Sequence, residues 1–284
     1  TITQKSLTES GLSVAASRAY DGTTAASVSG TAALLASETA GSGTTSDGKP
    51  YTGDTVSITG TAVGTYNDAH VANATTVTFS GLSLTGAQAG NYSLTIQSPA
   101  SATITAATLT PTITNTGVTK VYDGTTSSSI TPTYSFTGLV SGDTAATLTN
   151  TGIAYNYKDV ATATLVTVSG LSISSITGNK SSVAGDYALS ATSKTVAATI
   201  TQKSLTESGL SVAASRAYDG TTAASVSGSA VLATAETAGS GTTSDGKPYT
   251  GDTVSITGTA VGTYNDAHVA NATTVTFSGL SLTG

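Results

Sequence analysis

The sequence has no cysteine, no methionine and no tryptophan, and only two histidines. Without cysteine there is no disulfide scaffold, no thiolate zinc site, no haem attachment and no thiol nucleophile. Basic residues are scarce: ten Lys and Arg against sixteen Asp and Glu give a net charge of −6. That balance argues against nucleic acid or anionic membranes as partners. No apolar run approaches the ~18–20 residues that span a bilayer, so no membrane insertion is expected. Gly and Pro stay near ordinary usage, which excludes a collagen or a structureless linker. Thr1 opens the chain with neither an initiator Met nor a signal peptide, as in a piece of a longer protein. What is abundant is Thr and Ser, 60 and 40 of the 284 residues. A Thr/Ser/Val/Ala-rich chain poor in Leu, Glu and Lys favours strands over helices.

Internal repetition dominates the sequence. Residues 1–86 return at 199–284 with only five differences, Thr31/Ser229, Ala33/Val231, Leu35/Ala233, Ala36/Thr234 and Ser37/Ala235. A more distant copy lies between them. Arg18-Ala-Tyr-Asp-Gly-Thr-Thr24 corresponds to Lys120-Val-Tyr-Asp-Gly-Thr-Thr126 and to Arg216-Ala-Tyr-Asp-Gly-Thr-Thr222. Gly53-Asp54-Thr55 corresponds to Gly142-Asp143-Thr144, and Ala89-Gly-Asn-Tyr92 to Ala184-Gly-Asp-Tyr187. A spacing of 102 and then 96 residues between the motif tyrosines suits independently folding β-domains better than solenoid coils. The modules expected are 1–105, 106–201 and 202–284. The third ends at the position of Gly86 and should be the least stable, with an exposed edge.

Alternation with period two predicts strands around Leu12 and Val14, Val56 and Ile58, Val77 and Phe79, and Tyr92, Leu94 and Ile96, with a bulge or bend at Ser80-Gly81. Turn signals every 8–14 residues suggest small sandwiches. Ala32–Ala40 and Ala230–Ala238 are the one weak helix candidate. The expected fold is all-β, a tandem array of small β-sandwich modules, immunoglobulin-like or β-grasp-like. Ser101–Thr110 and Thr199–Leu205 alternate without Gly, Pro or a flexible linker, so the modules should be joined end to end by continuous strands and the array should be stiff.

Neither a catalytic residue nor a cofactor is expected. The motif residues Tyr20, Asp21, Gly22, Tyr122, Asp123, Gly124, Tyr218, Asp219 and Gly220 read as structural, with a tight turn after an anchoring tyrosine. Carbohydrate contact by Tyr and Asp is the functional alternative. Asp47, Asp54 and Asp68 are weak calcium candidates, without the spacing of a known calcium loop. His70 and His268 read as solvated loop residues. Lys5, Lys49 and Lys203 raise the possibility of isopeptide crosslinks to Asn, against the commoner state of an exposed charged Lys. Thr-x-Thr stretches lack the short coil repeat of an ice-binding face. The window Thr31–Ser37 is either a variable binding loop or, preferably, a water-facing segment.

Lys120-Val-Tyr-Asp-Gly-Thr-Thr126, Gly53-Asp54, Thr76-Val-Thr-Phe-Ser-Gly-Leu-Ser-Leu-Thr85, Ala89-Gly-Asn-Tyr-Ser-Leu94 and Ala102-Thr-Ile-Thr105 together resemble the YDG-type repeat and the related MBG modules of very large bacterial exoproteins. The resemblance covers essentially the whole chain. It implies stalk modules of filamentous-haemagglutinin-like adhesins at the bacterial cell surface, extracellular and non-catalytic. Neighbouring repeats are then the principal partners. Glycan or cell-surface protein binding, and self-association into a matrix or fibre, are the alternatives.

Overall fold

The strand-forming composition is realised throughout. The computed structural model describes residues 1–284 and contains strands and two single-turn 3-10 helices, Ala89–Asn91 and Ala184–Asp186. The protein is a tandem of all-β modules. Packing divides the chain into two compact units, one of Thr1–Thr112, Tyr134–Thr151 and Gly170–Lys194, the other of Ile113–Thr133, Gly152–Ser169 and Thr195–Gly284. The division runs through the middle repeat.

In the first unit, Lys5–Val14 is the central strand of three. It pairs antiparallel with Val28–Leu34 and parallel with Tyr92–Thr95, the latter in register from Lys5↔Tyr92 to Thr8↔Thr95. The Gln97 side chain clamps its bulge, accepting from the Leu12 amide and donating to the Leu12 carbonyl at 2.9 Å each. A second sheet is built on the long pair Ser57–Tyr66 and Thr76–Thr85. Its register slips between Gly60 and Val63, opposite Ser80–Leu82, which is the bulge expected at Ser80-Gly81. Gly81 has φ +81°, and a Cβ there would stand 2.3 Å from the Thr61 carbonyl oxygen, so the position admits only glycine. The middle repeat contributes the sheet of Tyr134–Thr137, Ala107–Ile113 and Tyr187–Leu189, and the pair Asp143–Thr149 with Ser172–Gly178. One core joins both contributions: Tyr20, Tyr66, Val77, Ala102 and Ile104 pack with Ala107, Leu109 and Tyr187. Leu109 and Val77 are fully buried, each stabilising by roughly 1.5–3 kcal/mol.

The second unit holds the sheet of Val118–Val121, Ser193–Thr201, Leu165–Ser169 and Gly152–Tyr155 over a core of Val118, Tyr155, Ala163, Val166, Ala198 and Ile200. The third repeat adds Glu207–Val212 paired with Val226–Leu232, and a sheet of Ala223–Ala224, Ser255–Tyr264 and Val275–Thr283.

Three expectations need correction. Ala32–Ala40 is not helical: Val28–Leu34 is a strand whose Ala33 and Leu34 pair with Ser10 and Glu9, and its counterpart Val226–Leu232 does the same. An alanine run supports either state, and the free edge of Lys5–Val14 decides for strand. The strand across the first junction is broken at Ala106, where Thr103–Thr105 ends beside Ser17–Ala19 and Ala107–Ile113 begins beside Tyr187–Leu189. At the second junction Ser193–Thr201 ends and the next strand starts only at Glu207. Lys5–Thr8 is a strand while the identical Lys203–Thr206 is not, because only the first has a parallel partner, Tyr92–Thr95. The window of five differences falls mostly on exposed positions (Thr31, Ala33, Ala36 and Ser37), as a water-facing segment requires.

The two copies thus form an internal experiment in strand pairing. Amides of Lys5–Leu7 are expected to exchange with solvent at least about tenfold more slowly than those of Lys203–Leu205. Equal rates by hydrogen-exchange mass spectrometry would show that the parallel strand contributes nothing.

Candidate functional site: the tyrosine joints between repeats

Each residue of the recurring motif has a local task. The Asp21 Oδ1 accepts from the Thr23 amide and hydroxyl at 2.8 Å, closing the turn, and Asp123 and Asp219 do the same with Thr125 and Thr221. The cation two residues before the tyrosine pairs with that carboxylate, at 2.6 Å in both Arg18–Asp21 and Lys120–Asp123 and again in Arg216–Asp219. It also lies over a tyrosine ring of its own repeat, Tyr66, Tyr155 or Tyr264. The second threonine offers its carbonyl to the amide of that same tyrosine, at 2.7 Å for Thr24–Tyr66 and Thr126–Tyr155 and 2.8 Å for Thr222–Tyr264. For Asp219 the Arg216 contact, then the Thr221 bonds, hold the carboxyl well below the usual range. For Asp21 burial works upward, but the Thr23 bonds and Arg18 outweigh it and the pKa is lowered.

The motif tyrosine itself points into the next repeat. Tyr20 is 3% exposed and meets Tyr187 edge-to-face, with ring centroids 5.7 Å apart. Its hydroxyl lies 2.7 Å from Ser182 Oγ, and Ser182 donates to Asp143 Oδ2 at 2.6 Å. The serine has one proton and gives it to the carboxylate, so Tyr20 is the donor. Tyr187 also donates to Asp143 Oδ2, at 2.6 Å, and burial first, then that carboxylate, pushes its pKa up to about 12. Ser182 and Lys180 belong to the longer segment 175–185 that distinguishes the middle repeat. Ser181 there has φ +58°, the one non-glycine residue in the left-handed region.

The second joint repeats the plan with different atoms. Tyr122 meets Tyr249 edge-to-face at 5.7 Å and donates directly to Asp252 Oδ1 at 2.7 Å. Asp252 is the counterpart of Asp143 and of Asp54. The Gly239 amide donates to the Asp123 carbonyl at 2.8 Å. Gly124 has φ +75°, and a Cβ there would fall 2.7 Å from Ala238 Cβ, so the motif glycine serves both the turn and the close approach of the next repeat. Tyr218, in the third motif, is 63% exposed, as are Asp219 and Gly220 in class.

The other candidate residues are placed as follows. Asp47, Asp54 and Asp68 are not brought together, and no cluster of three or more potential metal ligands forms. Asp54 accepts the Tyr92 hydroxyl, and Asp68 accepts the His70 amide at 2.7 Å and the Asn73 side chain at 3.2 Å. Asp47 receives Lys5 Nζ at 3.1 Å, and Glu38 receives the same ammonium at 2.5 Å. Lys5 and Lys203 are therefore buried ion-paired residues rather than exposed ones, each also stacked over Tyr51 or Tyr249. No Asn stands at either ammonium's ion pair. Burial lowers the Lys5 pKa, but the two carboxylates outweigh it and the amine stays firmly protonated. The middle repeat has Ala107 in place of this lysine, and its first loop is shorter.

His70 also departs from the expectation of a solvated loop residue. Its Nδ1 lies 2.7 Å from Asp186 Oδ2, a carboxylate of the next repeat that is fully buried and accepts the Val71 and Val183 amides as well. His268, in the identical local sequence, remains 74% exposed. Nothing within one repeat distinguishes the two: the partner lies 116 residues further on.

Beside Tyr122 a groove of about 550 Å³ runs along Lys158, Lys203, Leu205, Tyr249 and Asp252. In the first repeat the strand Tyr92–Thr95 lies against the corresponding residues, Lys5 and Leu7, with Tyr92 bonded to Asp54. The groove thus lies at the position that a strand fills in the first repeat.

Modules that recur at about a hundred residues and interlock through a Tyr-Asp-Gly turn define a tandem β-repeat protein. The YDG domain family matches three times in succession, over residues 3–102, 105–195 and 201–284, and the chain belongs to that family. No curated protein and no solved structure matches the chain.

The Asp186 bond, opposed by partial burial, raises the His70 pKa above its ordinary value. A raised folded-state pKa stabilises most below the unfolded value of about 6.5, and the contribution is lost as pH rises through the folded value. Thermal denaturation from about pH 5.5 to about pH 8.5 should show the melting temperature falling across that window. His70→Gln is expected to flatten the fall. A wild-type profile already flat there would refute the pair.

Proposed function

We propose that these repeats are structural spacers of a bacterial extracellular adhesin or surface fibre, holding a functional region away from the cell and carrying out no catalysis themselves. The proposal draws on the resemblance to the stalk repeats of large exoproteins and to the related MBG modules. The observation that carries it is the joint: the motif tyrosine of the first and of the middle repeat spends its side chain on contacts with the next repeat. Tyr20 and Tyr122 give their hydroxyls to Ser182 and Asp252, and Ala106 alone separates two strands of successive repeats. Adjoining elements that share a core and lack a flexible linker resist bending, which is the property a spacer needs. Recognition of a glycan by Tyr20 or Asp54 is the less favoured reading, since Tyr20 is 3% exposed and Asp54 is bonded to Tyr92.

Small-angle X-ray scattering at several protein concentrations tests the proposal. With modules of roughly 33–40 Å, set by strand rise, a spacer is expected to be a monomeric rod about 100–120 Å long. A compact particle, or a length that grows with concentration, would contradict it and favour binding or self-association.

A further inference from the structure

The first and third repeats carry the same docking surface, and only one of the two is covered. In the third repeat, Ala238, Gly239, Tyr249 and Asp252 receive the Tyr-Asp-Gly turn of the middle repeat. Tyr122 donates to Asp252 Oδ1, the Gly239 amide bonds the Asp123 carbonyl, and Lys158 stands 3.9 Å from Asp252. The corresponding residues of the first repeat are Ala40, Gly41, Tyr51 and Asp54, identical in type. A Cβ at Gly239 would meet Thr125 at 3.1 Å, whereas one at Gly41 meets nothing within 4 Å. Tyr249 is 3% exposed, and Tyr51 is only half-buried. The contrast runs against the local packing, because Tyr51 has the Tyr92 hydroxyl on its amide at 3.0 Å while Tyr249 lacks that neighbouring strand. Coverage by Tyr122 is what makes the difference.

We propose that Ala40, Gly41, Tyr51 and Asp54 form a preorganised docking site for the Tyr-Asp-Gly end of another YDG repeat of the middle type. Asp54 already has Tyr92 on Oδ2, which leaves Oδ1 for an incoming tyrosine hydroxyl, the atom that Tyr122 uses on Asp252. The incoming ring lies on Tyr51, and the lysine that corresponds to Lys158 faces the carboxylate, so shape and charge both match. The inference concerns a surface and its partner, and it stands whether or not the array acts as a spacer.

Hydroxyl-radical footprinting of tyrosine side chains tests it. In the 284-residue chain Tyr51 is expected to label several-fold faster than Tyr249. Residues 106–198 are then placed ahead of Thr1, which recreates the native junction because Thr1–Lys5 and Thr199–Lys203 are identical. Tyr51 labelling is expected to fall to the Tyr249 rate, and Tyr→Ala at the added motif tyrosine to restore it. An unchanged Tyr51 rate, or protection that appears without the added repeat as protein concentration rises, would overturn the proposal. Tyr122→Ala in the original chain supplies an independent check. It should raise Tyr249 labelling to the Tyr51 rate and leave Tyr51 as it was; continued protection of Tyr249 would equally overturn the equivalence of the two surfaces.

Discussion

Tyr20 sits in a turn, where a tyrosine would ordinarily keep one face in water, and it is buried because the following repeat covers it. Everything characteristic of the motif serves that placement. The Asp-Thr bonds fix the turn, the Arg or Lys holds the Asp and lies on a core tyrosine, and the glycine lets the next repeat approach. The closing Thr105 and Thr201 carbonyls accept the Tyr20 and Tyr122 amides at 2.8 Å, so each repeat's last strand carries the motif of its own beginning. The tyrosine is thereby held by its own repeat at the backbone and by the next repeat at the ring and hydroxyl.

The two joints reach the same end through different chemistry. The middle repeat receives Tyr20 through Ser182, inserted in its longer 175–185 segment, and adds a buried carboxylate, Asp186, for His70. The third repeat receives Tyr122 on Asp252 itself, with Lys158 alongside. Near-identical sequences are correspondingly driven into different states by their neighbours. His70 pairs with Asp186 of the next repeat, whereas His268 is mostly exposed and pairs with Asp266 of its own loop; Tyr20 is buried and Tyr218 is exposed. Position in the array, more than local sequence, sets how much each residue contributes.

Much of the fold was legible in the sequence because it depends on local rules. Alternation marked the long strands, Gly81 marked the bulge, and Asp-Gly marked the turns. What escaped depends on residues far apart in the chain. The parallel pairing of Lys5–Thr8 with Tyr92–Thr95 spans most of a repeat, and alternation carries no sign of strand direction. The burial of Lys5 needs Glu38 and Asp47 from a loop whose path the sequence leaves open. The sequence reads the motif as an anchored turn, but the Tyr20 hydroxyl reaches Ser182, 162 residues away, and nothing local indicates which repeat supplies that partner.

The central claim is that the Tyr20 hydroxyl couples two repeats energetically, and a double-mutant cycle measures that coupling directly. Equilibrium unfolding of the wild type, Tyr20→Phe, Ser182→Ala and the double variant should give single-variant losses of about 1 kcal/mol each. The double loss should fall short of their sum by at least about 0.5 kcal/mol, as for residues in direct contact. Strict additivity would mean that the hydroxyl bond carries no coupling, and the tyrosine joint would then be only a packing contact.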